Sequence, residues 1–511
     1  MLGRNDFEFL AKSVRVSVCG ALQVFREDPG FFFEKCLRRL REVTTNLGRR
    51  IGLSTVVFNR NLNPVLGRIT KADKSDFSEK DLAQKLLLRR PHEGYRDFVD
   101  SRPLTSQAAR IRVLYYANNS VPYTYSGYTE RTHYLAKALH RQDIDITVAT
   151  RLAYPLTAGK IALRETRIVD DVEYRLVVPW NLPSDQRKRD DLAVDLLIRL
   201  GREARATILH TTSDYRNALI VSRAAAALDV PWVYEVRGEP ESTWLSKFPP
   251  DERWRGEDSR FYKQSRTLEA EAMKAAAKVV ALSEVSKRSL VERGIEDSKI
   301  VVIPNGIEST QIGRSVDSAE LRNSLGLGDA RTIGVISSLV EYEGINILLE
   351  ALVWHPDLRC LIVGDGESFS SLVALARNLG IHDQVIFTGR VPSSEVSQYY
   401  AVLDLLVVPR IDSDVTRRVT PIKTLKAMAL GIPVLASDTP ALREVTGGLA
   451  TYFAPGDPSD LAMALEKVFK APRENQADAD SVRNFLEART WDSNAKKLIR
   501  LYRGETFTQS C

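Results

Sequence analysis

The 511-residue sequence holds only four cysteines, Cys19, Cys36, Cys360 and Cys511, and they are scattered. None lies at metal-ligand spacing from another, and an even count in so long a chain does not imply a disulfide framework. Free thiols in a reducing cytoplasm are the expectation. Nothing approaches the roughly 20 uncharged apolar residues needed to span a bilayer. The longest candidate, around Val14–Phe25, is short and flanked by Arg15 and Arg26. Met1–Arg15 mixes acids with interrupted apolar residues and lacks the basic cap and apolar run of a secretory signal. Aromatic-interleaved basic motifs and zinc-finger spacings are also missing, so nucleic acid is not expected as a partner.

What remains is an ordinary globular composition, 44% hydrophobic and 27% charged, too long for a single core. Charge is unevenly spread. Residues 1–110 hold 21 Lys and Arg against 13 Asp and Glu, a net +8, so the rest of the chain carries −2 of the overall +6. Residues 1–109 show no strand rhythm and read as a basic, mainly helical extension. Its pairs Arg38-Arg39, Arg49-Arg50 and Arg89-Arg90 suit contact with anionic lipid or an acidic partner protein.

From Ile111 the texture changes. An apolar run at Ile111–Tyr116, a Ser/Pro/Tyr/Gly loop, a helical pattern over Thr129–His140 and a second run at Ile144–Thr150 make a βαβ unit. Further strands are predicted at Thr207–His210, Trp232–Val236, Lys278–Leu282 and Ile300–Ile303, and Pro304-Asn-Gly306 is the turn that ends this lobe. A second series follows at Ile333–Ile336, Leu361–Val363, Val385–Thr388, Leu405–Val408 and Val434–Ala436. The predicted fold is α/β, two doubly wound Rossmann-like lobes facing a cleft. The first lobe is residues 110–304 and the second 305–480. Residues 481–511 form a closing helix that packs back on the first lobe. Ligands in such folds sit at the carboxyl ends of the strands.

Three stretches carry chemistry. The loop before the first helix ends in Gly127, where backbone N–H groups at the helix start suit a phosphate. Glu235-Val-Arg237-Gly-Glu-Pro-Glu241 follows a strand directly, which puts its charges in the cleft. Glu284 is a weaker candidate, because Ser283 before it reads as a helix cap. In the third stretch Thr420 is a predicted N-cap, Pro421 a first helical residue and Gly431 a helix terminator. That helix start is a prepared anion site, with Arg410, Arg417, Arg418 and Lys423 near in sequence.

Seven motifs in order resemble the two-lobed (GT-B) retaining glycosyltransferases of family 4, over residues 110 to about 490. They are Ser126-Gly-Tyr-Thr-Glu-Arg-Thr, Tyr234-Glu-Val-Arg-Gly, Val302-Ile-Pro-Asn-Gly-Ile, Val340-Glu-Tyr-Glu-Gly344, Val363-Gly-Asp-Gly-Glu367, Phe387-Thr-Gly-Arg-Val391 and Pro421-Ile-Lys-Thr-Leu-Lys-Ala-Met-Ala-Leu-Gly-Ile-Pro-Val. The wordings Tyr-Glu-Val-Arg-Gly, Tyr-Glu-Gly and Val-Thr-Pro-Ile-Lys look like a subgroup's own pattern. The resemblance implies a nucleotide-sugar donor as co-substrate and a cell-surface polysaccharide or glycolipid precursor (a glycan or glycolipid) as acceptor, and the basic extension suits work from the cytoplasm at the inner face of a membrane. The Gly389–Val391 segment, with Arg390, would lie near the base, and the Gly364–Gly366 turn would line the cleft. Gly127 would offer its backbone to the diphosphate. No Asp-x-Asp metal motif stands out, so neither metal nor other cofactor is expected.

The sequence departs from that family at charged positions. Ser338 and Glu343 align where relatives have the Arg and Lys that grip the diphosphate. Arg418 and Lys426 take the places of two glutamates seven residues apart, and Arg237 that of a histidine near the acceptor. A carboxylate accepts two ribose hydrogen bonds, whereas an ammonium only donates. Two readings follow. Arg410, Arg418, Lys423 and Lys426 supply the cations that Ser338 and Glu343 do not, and the chain is active. Alternatively it is a catalytically silent relative that partners or scaffolds another glycosyltransferase.

Overall fold

The computed structural model describes residues 98–104, 110–160, 162–470 and 478–505, with isolated positions at 9, 12, 13, 16, 86 and 87. The basic extension therefore lies almost wholly outside the described residues. Of it, Phe9 and Val16 are buried against Leu156, Leu176 and Val178, and Leu86 and Leu87 rest against a cluster of Trp244, Leu245 and Phe248. No helix among the described residues is long and apolar enough to cross a membrane.

The first lobe is an eight-stranded sheet of β1 (Arg112–Ala117), β2 (Asp145–Thr150), β3 (Thr166–Val169), β4 (Val172–Arg175), β5 (Ile208–Thr212), β6 (Trp232–Val236), β7 (Lys278–Ala281) and β8 (Ile300–Val302), in the order β3-β4-β2-β1-β5-β6-β7-β8. All pairs are parallel except β3 with β4. The second lobe has six parallel strands, β9 (Thr332–Ile336), β10 (Arg359–Val363), β11 (Val385–Gly389), β12 (Leu405–Val408), β13 (Val434–Ser437) and β14 (Thr451–Phe453), in the order β11-β10-β9-β12-β13-β14. Both are doubly wound. Strands buried on both faces need apolar residues throughout, and β12 is buried at every position.

Chain order reverses beside β1 in the first sheet and beside β9 in the second. Those switch points open the crevices where such sheets take ligands. The Gly127–His140 helix follows β1, and Arg410 follows β12, the neighbour of β9 across the second switch.

The predicted strands all form, within a residue or two at their ends. Three features were not anticipated, the first being the sixth strand of the second lobe, β14. A hairpin, β3–β4, turns through Asp170 and Asp171, both at positive φ (47° and 65°), a two-residue turn of the kind usually marked by Asn-Gly. The closing segment is two helices, not one. Ala479–Ala488 packs on the second lobe through Leu486, whereas Trp491–Tyr502 buries Trp491, Leu498 and Leu501 in the core of the first. Thr490 separates them by capping the second helix, accepting from Ser493 N–H at 3.2 Å. Its bridge to Ile307 marks where the chain crosses between lobes.

Candidate active site in the cleft between the lobes

At the second switch point three charged side chains form one cluster. Arg410 is buried and donates to Glu343 Oε1 at 2.9 Å and to the Val419 carbonyl at 2.8 Å. Lys423 donates to Glu343 Oε2. Burial would raise the Glu343 carboxyl, but Arg410 and Lys423 outweigh it and hold the group down at about 2. Burial pulls Lys423 down to about 8, against the opposing pull of Glu343. Two cations on one carboxylate leave a surplus positive charge. Glu343 thus stands where a cation was expected and is itself held by two.

The helix that carries Lys423 spans Ile422–Ala429. Its start differs from expectation. Pro421, with φ −82° and ψ 140°, is the N-cap rather than the first helical residue. Thr420 lies one residue further out and caps nothing, and its hydroxyl is buried without a partner. Gly431, at φ +73°, follows the helix end as anticipated. Asn305, in the turn between the lobes, donates to the Thr420 carbonyl at 2.9 Å and fixes this helix start to the hinge.

Across the cleft, Ser126 and Thr129 form a reciprocal capping box that starts the Gly127–His140 helix. A Cβ on Gly127 would lie 3.8 Å from Ile422 Cδ1 of the other lobe. Two helix amino ends therefore face one another, each with a partial positive charge.

The other sequence-derived residues divide. Arg418 crosses to Glu239 of the first lobe at 2.9 Å, and Lys426 crosses to both oxygens of Glu130 at 2.8 and 3.0 Å. Arg417 turns outward to Asp412. Hence Arg410, Arg418, Lys423 and Lys426 each meet a carboxylate, although Arg410 and Lys423 share one. Glu444 likewise accepts from the N–H groups of Glu284 and Val285 at 2.7 and 3.0 Å, while Ser283 caps that helix as expected.

Arg237 does not face the cleft as its place after a strand suggested. It is buried, and its guanidinium donates to Glu235, the Tyr128 carbonyl, Thr132 and Tyr115. Four of its five N–H groups are engaged in this way, and it positions the loop around Gly127. Ser338 and Arg390 are exposed and Val391 is half-buried. The turn Gly364–Gly366 is glycine-rich for a reason internal to the fold. At Gly364 (φ +141°) a Cβ would collide with the Ser337 carbonyl oxygen, and at Gly366 with that of Leu339. The two loops at the sheet's ligand end are thus packed backbone to backbone.

Beside these groups lies a cavity of about 260 Å³ lined from both lobes, by Glu130, His133 and Tyr134 on one side and Arg314, Tyr400 and Lys426 on the other. Sequence reasoning did not single out Glu130, and it put Glu239 in the cleft with its neighbours without seeing its pairing; the partners lie 296 and 179 residues away. Their only signal is a sign opposite to the cations they meet.

The Lys426–Glu130 pair is about three-quarters buried on each side and spans the cleft. Lys426→Glu would face one carboxylate with another. Because partly exposed pairs contribute only about 0.2–1 kcal/mol, the fold should survive with little change in melting temperature. The lobes should separate, giving a larger radius of gyration by small-angle scattering, and Glu130→Lys in the same chain should restore it. A single variant as compact as the parent would show that this pair does not hold the cleft.

Comparison with known proteins agrees with this architecture. Residues 126–306 match the family described as glycosyl transferase 4-like domain, and residues 317–484 match glycosyl transferases group 1. Among solved structures, Anabaena Alr3699/HepE in complex with UDP aligns over 76% of this chain and 99% of its own, at 17% identity and a TM-score of 0.59. Sucrose-phosphate synthase from Thermosynechococcus elongatus aligns over 77% and 98%, at 16% identity and a TM-score of 0.62. The fold is therefore that of the GT-B glycosyltransferases, and each lobe matches the corresponding glycosyltransferase domain.

Among curated relatives, the GDP-mannose-dependent alpha-(1-6)-phosphatidylinositol monomannoside mannosyltransferase of Mycolicibacterium smegmatis is 27% identical over 40% of this chain and 56% of its own length. The alpha-monoglucosyldiacylglycerol synthase of Streptococcus pneumoniae is 30% identical over 39% and 46%. The chain spans about half the length of the curated relatives it matches.

Proposed function

We propose that this chain is a retaining glycosyltransferase that moves a sugar from a nucleotide-sugar donor to a glycan or glycolipid precursor. One observation carries the reading: two helix amino ends and the Arg410–Glu343–Lys423 cluster converge on the same point between the lobes. Fixed dipoles and cations aimed at a departing diphosphate are the largest contribution such a site makes to rate. The leaving phosphate oxygen takes the acceptor's proton on the face it departs from, so no separate protein base is needed. Lys423 and Arg410 hold the leaving group, and Gly127 contributes backbone N–H groups from the acceptor lobe.

The names of the relatives support a donor of this class and acceptors of lipid type. Work at a membrane face, through the basic extension, belongs to the same proposal. A second reading has its own observation. Lys426, at the position expected to hold ribose, is bonded to Glu130 instead, which suits a silent scaffold.

Thermal shift against UDP, GDP and ADP tests the first reading. Ligand at 100 times its dissociation constant adds about 2.7 kcal/mol to stability, and one of the three should give a rise of that order. Release of nucleoside diphosphate from the matching sugar donor should follow. No shift with any nucleotide would favour the scaffold.

A further inference from the structure

The first lobe contains a second, smaller pocket that the diphosphate site does not use. It encloses about 100 Å³ between the start of the helix Tyr215–Leu228, the short helix Pro240–Leu245 and the helix Arg260–Ala275. Its walls include Tyr215, Arg216, Glu241, Trp244, Phe261 and Glu269. Three of these are aromatic, and three of its polar atoms are buried without a hydrogen-bond partner. They are one acceptor, Glu241 Oε2, and two donors, Trp244 Nε1 and Arg216 Nε. Glu241 and Trp244 are only 2% and 4% exposed, so their orphan atoms have no bulk water to turn to.

The rest of the pocket is firmly held. Glu241 Oε1 accepts from Arg293 at 2.5 Å, which anchors the carboxylate and leaves its other oxygen unpartnered. Glu269 accepts from Tyr215 N–H at 2.7 Å and from the Tyr234 hydroxyl at 2.6 Å. Burial, reinforced by the neighbouring Glu241, raises the Glu269 carboxyl above the usual carboxylate range. Two residues before Glu241, Glu239 makes the ion pair with Arg418 of the other lobe, which sets the pocket beside the cleft.

The pattern of unpartnered atoms selects a ligand chemistry. An ammonium would satisfy Glu241 and leave both donors without an acceptor. An anion would satisfy the donors and repel Glu241. A hydroxyl both donates and accepts. Aromatic walls beside it take the apolar face of a polyol or sugar ring, and the volume exceeds that of a single water many times over.

We propose that this pocket is a subsite for a neutral polyhydroxyl group of the acceptor, with Glu241 accepting from one hydroxyl and Trp244 donating to the same or an adjacent one. The inference rests on the transferase reading for its purpose but not for its detection, because binding here needs no donor.

The test is binding by saturation-transfer NMR on the full chain with D-glucose, myo-inositol, glycerol and glucosamine as probes, run beside the nucleotide thermal shift. At least one neutral probe should bind and outcompete glucosamine. Trp244→Phe, which keeps the ring and removes the N–H, should weaken that binding ten-fold or more and leave the nucleotide shift unchanged. Should Trp244→Phe fail to fold, Glu241→Gln serves, since one amide oxygen still meets Arg293 while the acceptor becomes a donor. Preference for glucosamine, equal binding by parent and variants, or binding of no probe would each overturn the subsite. A polyol bound without any nucleotide shift would support the pocket while removing the transferase reading.

Discussion

Glu235→Ala should destabilise the first lobe by about 3–5 kcal/mol, the cost of breaking a buried ion pair from one side. Glu235 is fully buried at the end of β6, where its carboxylate meets Arg131 at 2.7 Å, Arg237 at 2.5 Å and the Tyr115 hydroxyl at 3.2 Å. Both guanidinium groups are buried too, so alanine would strand two cations in the core. Burial by itself would raise the Glu235 carboxyl, but Arg131 and Arg237 outweigh it and hold the group well below the usual range. A carboxylate with a depressed native pKa stabilises the fold above its unfolded value, near 4.3, and that contribution fades as pH falls toward the native one. The parent should therefore lose stability in acid below about pH 4.3, and the variant should lack that part of the slope. Arg131 also holds the carbonyls of Ile303 and Pro304 at the hinge, and Arg237 holds Tyr128 beside Gly127. Nucleotide affinity should fall with stability for that reason. Urea unfolding at pH 7 measures the first effect, and an unchanged midpoint would refute the account of this network.

How much of this was legible in the sequence follows from where each interaction lies along the chain. Parallel strands such as Leu405–Val408 announce themselves, because burial on both faces demands an unbroken apolar run. The β3–β4 hairpin does not. It sits at the sheet edge with Ile168 73% exposed, and its turn uses two aspartates where glycine is the usual marker. The break in the closing segment had a signal, Thr490 as a cap, but apolar periodicity continues on both sides of it. Within the site, the positions of the cations were readable and their partners were not. Lys426 and Glu130 belong to different lobes, and only the closure of those lobes brings them together. Arg237 misled for a local reason. A charged residue after a strand normally looks outward, but Glu235 two residues earlier points into the core and draws the guanidinium in after it.

Lys423→Ala should weaken nucleoside diphosphate binding by about 1.5–3 kcal/mol, the range for a hydrogen bond to a charged group, or roughly ten- to a hundred-fold. Three features of the site make Lys423 the most exposed to test. It stands in the first turn of the helix whose amino end faces Gly127, it is 10% exposed, and it shares Glu343 with Arg410. Because Glu343 also accepts from Arg410 at 2.9 Å, Lys423 can turn to an incoming phosphate without leaving the carboxylate unpaired. Burial has already lowered its proton affinity to about 8, so the free site begins to lose this charge just above neutrality. An anion binds the protonated form, which means affinity should be level below about pH 8 and decline above it. Lys423→Arg, whose guanidinium does not titrate in this range, should keep the affinity and flatten the decline. Calorimetry from pH 6.5 to about 9 with the nucleotide identified by thermal shift distinguishes the cases. If Lys423→Ala binds as tightly as the parent, or the parent's affinity is indifferent to pH across that span, the phosphate is held by backbone and Arg410 alone. Lys423 would then serve only to neutralise Glu343.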